Sequence, residues 1–238
     1  MAPEHATVAE EEYLESLFWL FEAELPMTGA NLARAMQLSA PTVHEMLGRL
    51  ERDGYIERTS GRRIAFTDAG RGHAERIVGR HRMIERFLTD VVGVPWDEVH
   101  EEAEKLEHAM TPRFEAYIRS SVGNATTCPH GHPIKVGERI DGVPLADCDV
   151  GAAVTILRLE NEAEDLLHYL KAAGVEPGMT GTVATNDGSE VGVATDGGAT
   201  STITHSVAET VSVLADPSPP PRTALPEQLV LGRERYGR

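Results

Sequence analysis

Apolar positions fall into two regimes along the chain: up to about residue 121 they recur at helical spacing, and from Ala152 onward they alternate as in strands. Tyr13, Leu14, Leu17, Phe18 and Phe21 form a first helical run, which Pro26 and Thr28-Gly29 end before a second periodic stretch, Asn31 to Met36. Ser39 is the natural N-cap of a third helix, with Pro41 in its first turn, apolar Val43, Met46, Leu47 and Leu50, and Asp53-Gly54 at its close. Residues 55–59 and 63–67 then read as two strands around Ser60-Gly61-Arg62. Three short helices and an arginine-bearing hairpin outline a winged helix-turn-helix.

Thr67-Asp68 starts a long helix reaching about residue 92, Val94-Pro95 breaks it, and helices are expected over 96–110 and 112–121. Cys128-Pro129-His130-Gly131-His132-Pro133 reads as a loop. Strands are expected at 154–159, 181–185, 191–194 and 210–214, with one short helix at 164–172, which makes a small β-barrel-like unit. The tail from Pro217 is proline-rich and reads as extended or disordered. The fold class is therefore mainly α with small β. Its expected divisions are a DNA-binding unit at 1–75, a helical unit at 76–145, a β unit at 150–216 and a tail at 217–238.

A length of 238 residues with 41% apolar content supports two or three cores. No run approaches the roughly 20 apolar residues of a membrane span, and the first residues lack the pattern of a secretory signal, so a cytoplasmic protein with no membrane partner is expected. Cys128 and Cys148 are too far apart for a CxxC pair. The net charge of -16 argues at first against nucleic acid. Between residues 26 and 80, however, nine arginines face six acids, so one basic segment sits in an acidic chain.

In a helix-turn-helix the second helix lies in the major groove and presents its N-terminal side chains to base edges. Ser39, Pro41, Thr42, His44 and Glu45 occupy those positions, Arg49 and Arg52 are placed to reach phosphate, and Arg62 and Arg63 sit at the wing tip. Double-stranded operator DNA is the expected partner, read by a homodimer because two recognition helices must reach grooves about one helical turn, or a multiple, apart.

The helices beyond the wing carry a second chemistry. Val99, Ala103, Leu106 and Met110 form an apolar stripe, and His100, Glu104, Glu107 and His108 repeat that spacing one residue later, while Glu101, Glu102 and Lys105 point to solvent. His81 falls within the apolar stripe of Ile77, Ile84, Leu88 and Val91, with Glu85 one turn on. Carboxylates on apolar faces need partners, and a divalent ion shared with nearby histidines supplies one. Glu12 and Glu15, at i and i+3, extend the set from the first helix.

The segment from Thr42 through the wing, Arg80-His81-Arg82 with Glu85-Arg86-Phe87-Leu88, and Val99-His100-Glu101-Glu102-Ala103-Glu104 ending in Leu106-Glu107-His108 together resemble the diphtheria toxin repressor family of iron- and manganese-dependent regulators. The resemblance is strong from about Glu12 to Ser121; Pro129 to Ile134 and residues 165–178 resemble the three-domain members, whose third domain is SH3-like. It implies a primary metal site of Glu12, Glu104, Glu107 and His108, joined by His81 and Glu15 in the manganese branch. It also implies an ancillary site of Glu85, Cys128, His130 and either Glu162 or Asp165, with His81 and His100 added in the iron branch. Iron-sensing members carry methionine in place of Glu12 and cysteine in place of Glu104, whereas manganese sensors carry carboxylates there, commonly a shorter aspartate at the first. His132 matches no family residue and reads as a loop residue.

Hard oxygen donors suit manganese. The expectation is thus a metal-dependent transcriptional repressor that binds its operator when loaded with Mn(II) and controls metal homeostasis genes, with Fe(II), Zn(II) and Co(II) as alternative ions. A metal-independent winged-helix interaction protein is the reading outside this class. An enzyme is not expected, since His100-Glu101 is followed by Glu104 and the HExxH zincin spacing is absent.

Overall fold

The computed structural model describes residues 6–59, 63–195 and 197–219. Helix α1 (Val8–Glu22) opens with a capping box: the Thr7 side chain accepts from the Glu10 amide, and Glu10 accepts in return from the Thr7 amide at 2.7 Å. Helix α2 (Gly29–Ala35) is capped by Thr28, and α3 (Ala40–Arg52) by Ser39 with Pro41 in the first turn, as expected. Strands β1 (Ile56–Arg58) and β2 (Ile64–Phe66) pair antiparallel, Glu57 opposite Ala65, to make the wing. Its turn, Ser60 to Arg62, lies outside the described residues.

Helix α4 (Asp68–Phe87) continues as a π-helical turn (Leu88–Val92) that Gly93 stops at φ 87°. Thr67 joins α4 to the winged-helix unit by accepting from the Gly70 amide at 3.0 Å and donating to the Gly54 carbonyl at 2.7 Å. Gly70 lies so close to Tyr55 that a Cβ there would stand 1.7 Å from the Tyr55 carbonyl oxygen. Ala74 and Val78 of α4 belong to the first core, with Leu14, Leu17, Phe18 and Leu50; Met83 and Ile84, further along α4, belong to a second. Residue 75 thus falls inside a helix that two cores share.

Helix α5 (Val99–Glu107) is shorter than expected, because residues 96–98 form a turn in which the Glu98 amide reaches the Pro95 carbonyl. Helix α6 (Pro112–Val122) follows, capped by Thr111. Two apolar positions deviate from the expected stripes. Leu106 is 43% exposed and Val91 53%, while Glu107, one turn on from buried Ala103, is 1% exposed. Glu107 takes the inward position because α4 meets that side of α5 with a histidine.

The third unit is a six-stranded antiparallel sheet in the order β3-β8-β4-β5-β6-β7, built from β3 (Val143–Pro144), β4 (Ala153–Leu159), β5 (Thr180–Asn186), β6 (Glu190–Ala194), β7 (Thr200–Thr204) and β8 (Val211–Asp216). Helix α7 (Glu164–Ala172) stands as expected; β3, β7 and the short α8 (His205–Ala208) do not stand out in the sequence. Thr-Ser-Thr-Ile-Thr of β7 carries little apolar signal, and it becomes a strand by pairing with β6, Val191 opposite Ile203. Most of the proline-rich tail, from Pro220, lies outside the described residues.

Candidate metal centre and nucleic-acid interface

His81 is the hub of the site. One turn apart on α4, His81 and Glu85 project into the space between α1, α5 and the loop 126–134, and both are buried. His81 Nδ1 lies 2.7 Å from Glu107 Oε2 on α5 and 3.9 Å from Glu15 Oε1 on α1; its Nε2 lies 3.1 Å from Glu85 Oε1 and 3.1 Å from His100 Nδ1. Burial works against the imidazolium, yet the carboxylates of Glu85 and Glu107 outweigh it and raise the His81 pKa well above the usual histidine range.

The loop reaches this space because α4 and β4 grip it from opposite sides. From α4, Arg82 donates to the Pro133 carbonyl at 3.0 Å, and Arg86 to the carbonyls of Thr127 and Cys128, each at 2.8 Å. From β4, the Leu159 amide donates to the His130 carbonyl, and Gly131, at φ 92°, lies where a Cβ would stand 2.0 Å from the Leu157 carbonyl oxygen. His130 Nδ1 is thereby set 3.2 Å from Glu85 Oε1, and its Nε2 lies 2.7 Å from the Trp96 carbonyl. Glu162, just past β4, lies 3.2 Å from His100 and 3.1 Å from His132.

Three groups of potential ligand atoms result, each drawn together within 4.8 Å: Glu15, His81 and Glu107; His81, Glu85, His100 and Glu162; and Glu85, Cys128 and His130. The residues fit a divalent cation. Glu85 Oε2 is fully buried and has no hydrogen-bond partner among the described residues. Despite burial, the pKa of His130 is also raised well above its usual range, by Glu85 first, and that of His100 to about 9, by Glu162 and Glu85. The pocket thus holds protons to balance its carboxylates, a charge that a cation would replace. Burial pushes the Cys128 thiol up to about 11, so binding there would also displace its proton.

Glu12, Glu15, Glu104, Glu107 and His108 line a neighbouring cleft of about 680 Å³ between α1, α5 and the start of α7. His108 Nε2 stands 3.2 Å from Glu107 Oε1, and Glu104 Oε1 3.7 Å from His100 Nε2. Of the two acids left open in the third unit, the structure brings Glu162 into the cluster. Asp165 is exposed and accepts from the Leu166 amide at the start of α7, so its place as a candidate is corrected. His132 lies in the loop as expected but is buried against the Leu159 carbonyl and Glu162, and burial together with nearby Arg82 lowers its pKa to about 4.

Two residues that the sequence reading does not single out are Glu11 and His73. Glu11 Oε2 lies 2.9 Å from His108 Nδ1, and Glu11 Oε1 3.4 Å from His73 Nε2. The signal was available for His73, which lies two turns before His81 on the same face of α4.

On the other side of the winged-helix unit, Ser39, Pro41, Thr42, His44 and Glu45 form an exposed row at the start of α3, with Ser39 Oγ 2.7 Å from Thr42 Oγ1. Arg52 and Arg63 are exposed, and Arg62 lies outside the described residues. Arg49 departs from the expectation of a free phosphate contact. Its Nε lies 2.8 Å from Oε1 of buried Glu10 and 3.8 Å from Asp53, so the first turn of α1 already holds it.

Comparison with known proteins matches residues 5–63 to the iron dependent repressor N-terminal DNA binding domain, 67–135 to the iron dependent repressor metal binding and dimerisation domain, and 143–215 to the FeoA domain. The chain is 34% identical over 219 residues to the iron-dependent repressor IdeR of Mycobacterium tuberculosis, covering 85% of this chain and 95% of that protein. Among solved structures it resembles a manganese-dependent transcriptional repressor in complex with manganese (TM-score 0.78, 29% identity, 87% of this chain and 99% of the other). It also resembles IdeR of T. acidophilum (TM-score 0.72, 27% identity, 90% and 100%).

Proposed function

The chain belongs to the diphtheria toxin repressor family of metal-dependent transcriptional repressors, and from that premise we propose that Mn(II) is the ion to which it responds. It is not an enzyme; it binds operator DNA, dimerises and binds divalent metal. Family membership also removes the metal-independent reading. The observation that carries the choice of manganese is the lining of the cleft, in which Glu12, Glu15, Glu104 and Glu107 stand among other carboxylates with His100 and His108 and no thiol. Oxygen-rich sites suit hard ions, whereas a thiolate favours softer ones. Iron(II) is the second reading, because Cys128 stands in the neighbouring group and the relative from M. tuberculosis is named iron-dependent. Zn(II) and Co(II) are further candidates on affinity alone.

The proposed primary site comprises Glu12, Glu104, Glu107 and His108, with Glu15 and His81 at its inner edge. The ancillary site comprises Glu85, Cys128, His130 and Glu162, with His81 and His100 between the two. A bound ion would supply positive charge shared by α1, α5 and α4. Glu12 and Glu15 belong to the helix that packs in the DNA-binding core, and Glu104, Glu107 and His108 to α5 or its C-cap, so one shared charge fixes the angle between the units. Glu10 passes that angle to the recognition helix through Arg49. The switching energy is the difference in metal affinity between the DNA-competent arrangement and the others.

Ser39, Pro41, Thr42, His44 and Glu45 face base edges in this reading, while Arg52, Arg62 and Arg63 meet phosphate. A second copy covers the exposed apolar residues Val91, Val92, Phe114 and Tyr117, which lie in the segment matched to the dimerisation domain. No helix among the described residues is long and apolar enough to cross a membrane, and a repressor works in the cytoplasm with its operator.

Gel retardation at controlled free-metal levels tests the proposal. Mn(II) should promote operator binding, and operator DNA should tighten Mn(II) binding by the same factor, since the coupling is reciprocal. A Mn(II) affinity indifferent to DNA, with Glu107→Ala still binding operator fully in chelator, would overturn it.

A further inference from the structure

His108, one of the two histidines lining the cleft, is held from behind by a chain of side chains on three helices. Arg76 Nη2 lies 2.9 Å from His73 Nδ1. A guanidinium can only donate, so His73 Nδ1 accepts and its ring proton sits on Nε2, which lies 3.4 Å from Glu11 Oε1. The other oxygen of Glu11 lies 2.9 Å from His108 Nδ1. Each polarity follows from its own pair: arginine donates to His73, and the Glu11 carboxylate, which can only accept, accepts from His73 at one oxygen and from His108 at the other. His108 therefore keeps a proton on Nδ1 and turns Nε2 toward Glu107 and the cleft.

We propose that Glu11, oriented by His73, is a positioning residue that fixes the tautomer and ring orientation of His108 for metal binding through Nε2. The inference rests on the reading of His108 as a ligand of the primary site and extends it to residues that do not touch the ion. A carboxylate behind a metal-binding histidine sets which nitrogen is free and raises its basicity. Glu10, Glu11 and Glu12 then divide three tasks within one turn of α1: the recognition helix, the ligand's support, and the cleft itself.

The test uses the full-length protein, loaded with Mn(II) alone for calorimetry and with Zn(II) alone for nitrogen-15 NMR of the histidine rings, without DNA. Glu11→Ala should weaken Mn(II) binding by roughly 10–100-fold, and His108 should lose its single Nδ1-protonated signal. Glu11→Gln, whose carbonyl still accepts, should recover part of both. His73→Phe should shift both in the same direction by less, and it leaves the first turn of α1 untouched, which guards against a trivial unfolding effect. Unchanged affinity and tautomer in Glu11→Ala, or a Gln variant as impaired as the Ala one, would overturn the inference, provided that Glu107→Ala loses Mn(II). If Glu107→Ala also binds as the wild type does, the primary-site reading fails first.

Discussion

Arg49→Ala separates two roles that look alike in sequence. A phosphate contact would make its loss visible only with DNA, as a reduced salt slope. The structure gives it an internal partner instead: Glu10 is 2% exposed, its Oε2 accepts from the Thr7 amide and hydroxyl, and its Oε1 lies 2.8 Å from Arg49. Removing one partner of a fully buried pair costs about 3–5 kcal/mol, whereas exposed pairs are worth about 0.2–1 kcal/mol. With the arginine side chain 42% exposed, solvent takes over part of its task, and the expected cost is about 1–2 kcal/mol. Burial opposes the Glu10 carboxylate, but the Thr7 bonds and Arg49 lower its pKa below the usual 4.5. A depressed carboxylate contributes stability above its unfolded pKa and loses it as pH falls through the folded value. Urea denaturation of the metal-free protein should therefore show the full difference at pH 7 and a smaller one below about pH 4.5. Operator binding should weaken while the salt slope stays nearly constant. Undiminished stability at pH 7 together with a slope reduced by about one unit would refute the reasoning and return Arg49 to the phosphate backbone.

Because carboxylates raise the pKa of His81, His100 and His130, the metal-free protein is stabilised below the unfolded histidine value and loses that contribution as pH rises through the raised ones, near pH 9 for His100; Mn(II) should accordingly release protons, seen as buffer-dependent heats in calorimetry, and buffer-independent heats would contradict the pocket's charge balance. Glu12→Met with Glu104→Cys should shift the metal response in retardation assays from Mn(II) toward Fe(II), and an unaltered preference would remove the cleft as the selective site. Gly70→Ala should lower stability by about 1–3 kcal/mol or more, read from thermal unfolding, because the new Cβ meets the Tyr55 carbonyl.

Much of this protein is written locally. Thr28, Ser39, Thr67 and Pro41 mark helix starts by their own capping chemistry, and the 3.6-residue period places His81 and Glu85 on a buried face before any contact is known. Those signals sufficed for the winged helix, α4, α6 and α7, and for the suspicion that histidines and glutamates on apolar faces share an ion. What they do not contain is which faces meet. The choice of Glu162 over Asp165 follows from how the residues after β4 leave the sheet before α7 starts, and the burial of Glu107 in place of Leu106 follows from where α4 lies against α5. Strand β7 exists only because β6 is beside it. Arg49 is captured by Glu10, and His108 by Glu11, across 39 and 97 residues of chain. A single side chain carries its period and its cap wherever it goes, but a partner that far along the chain is chosen by packing of whole elements, and only the assembled structure makes that choice.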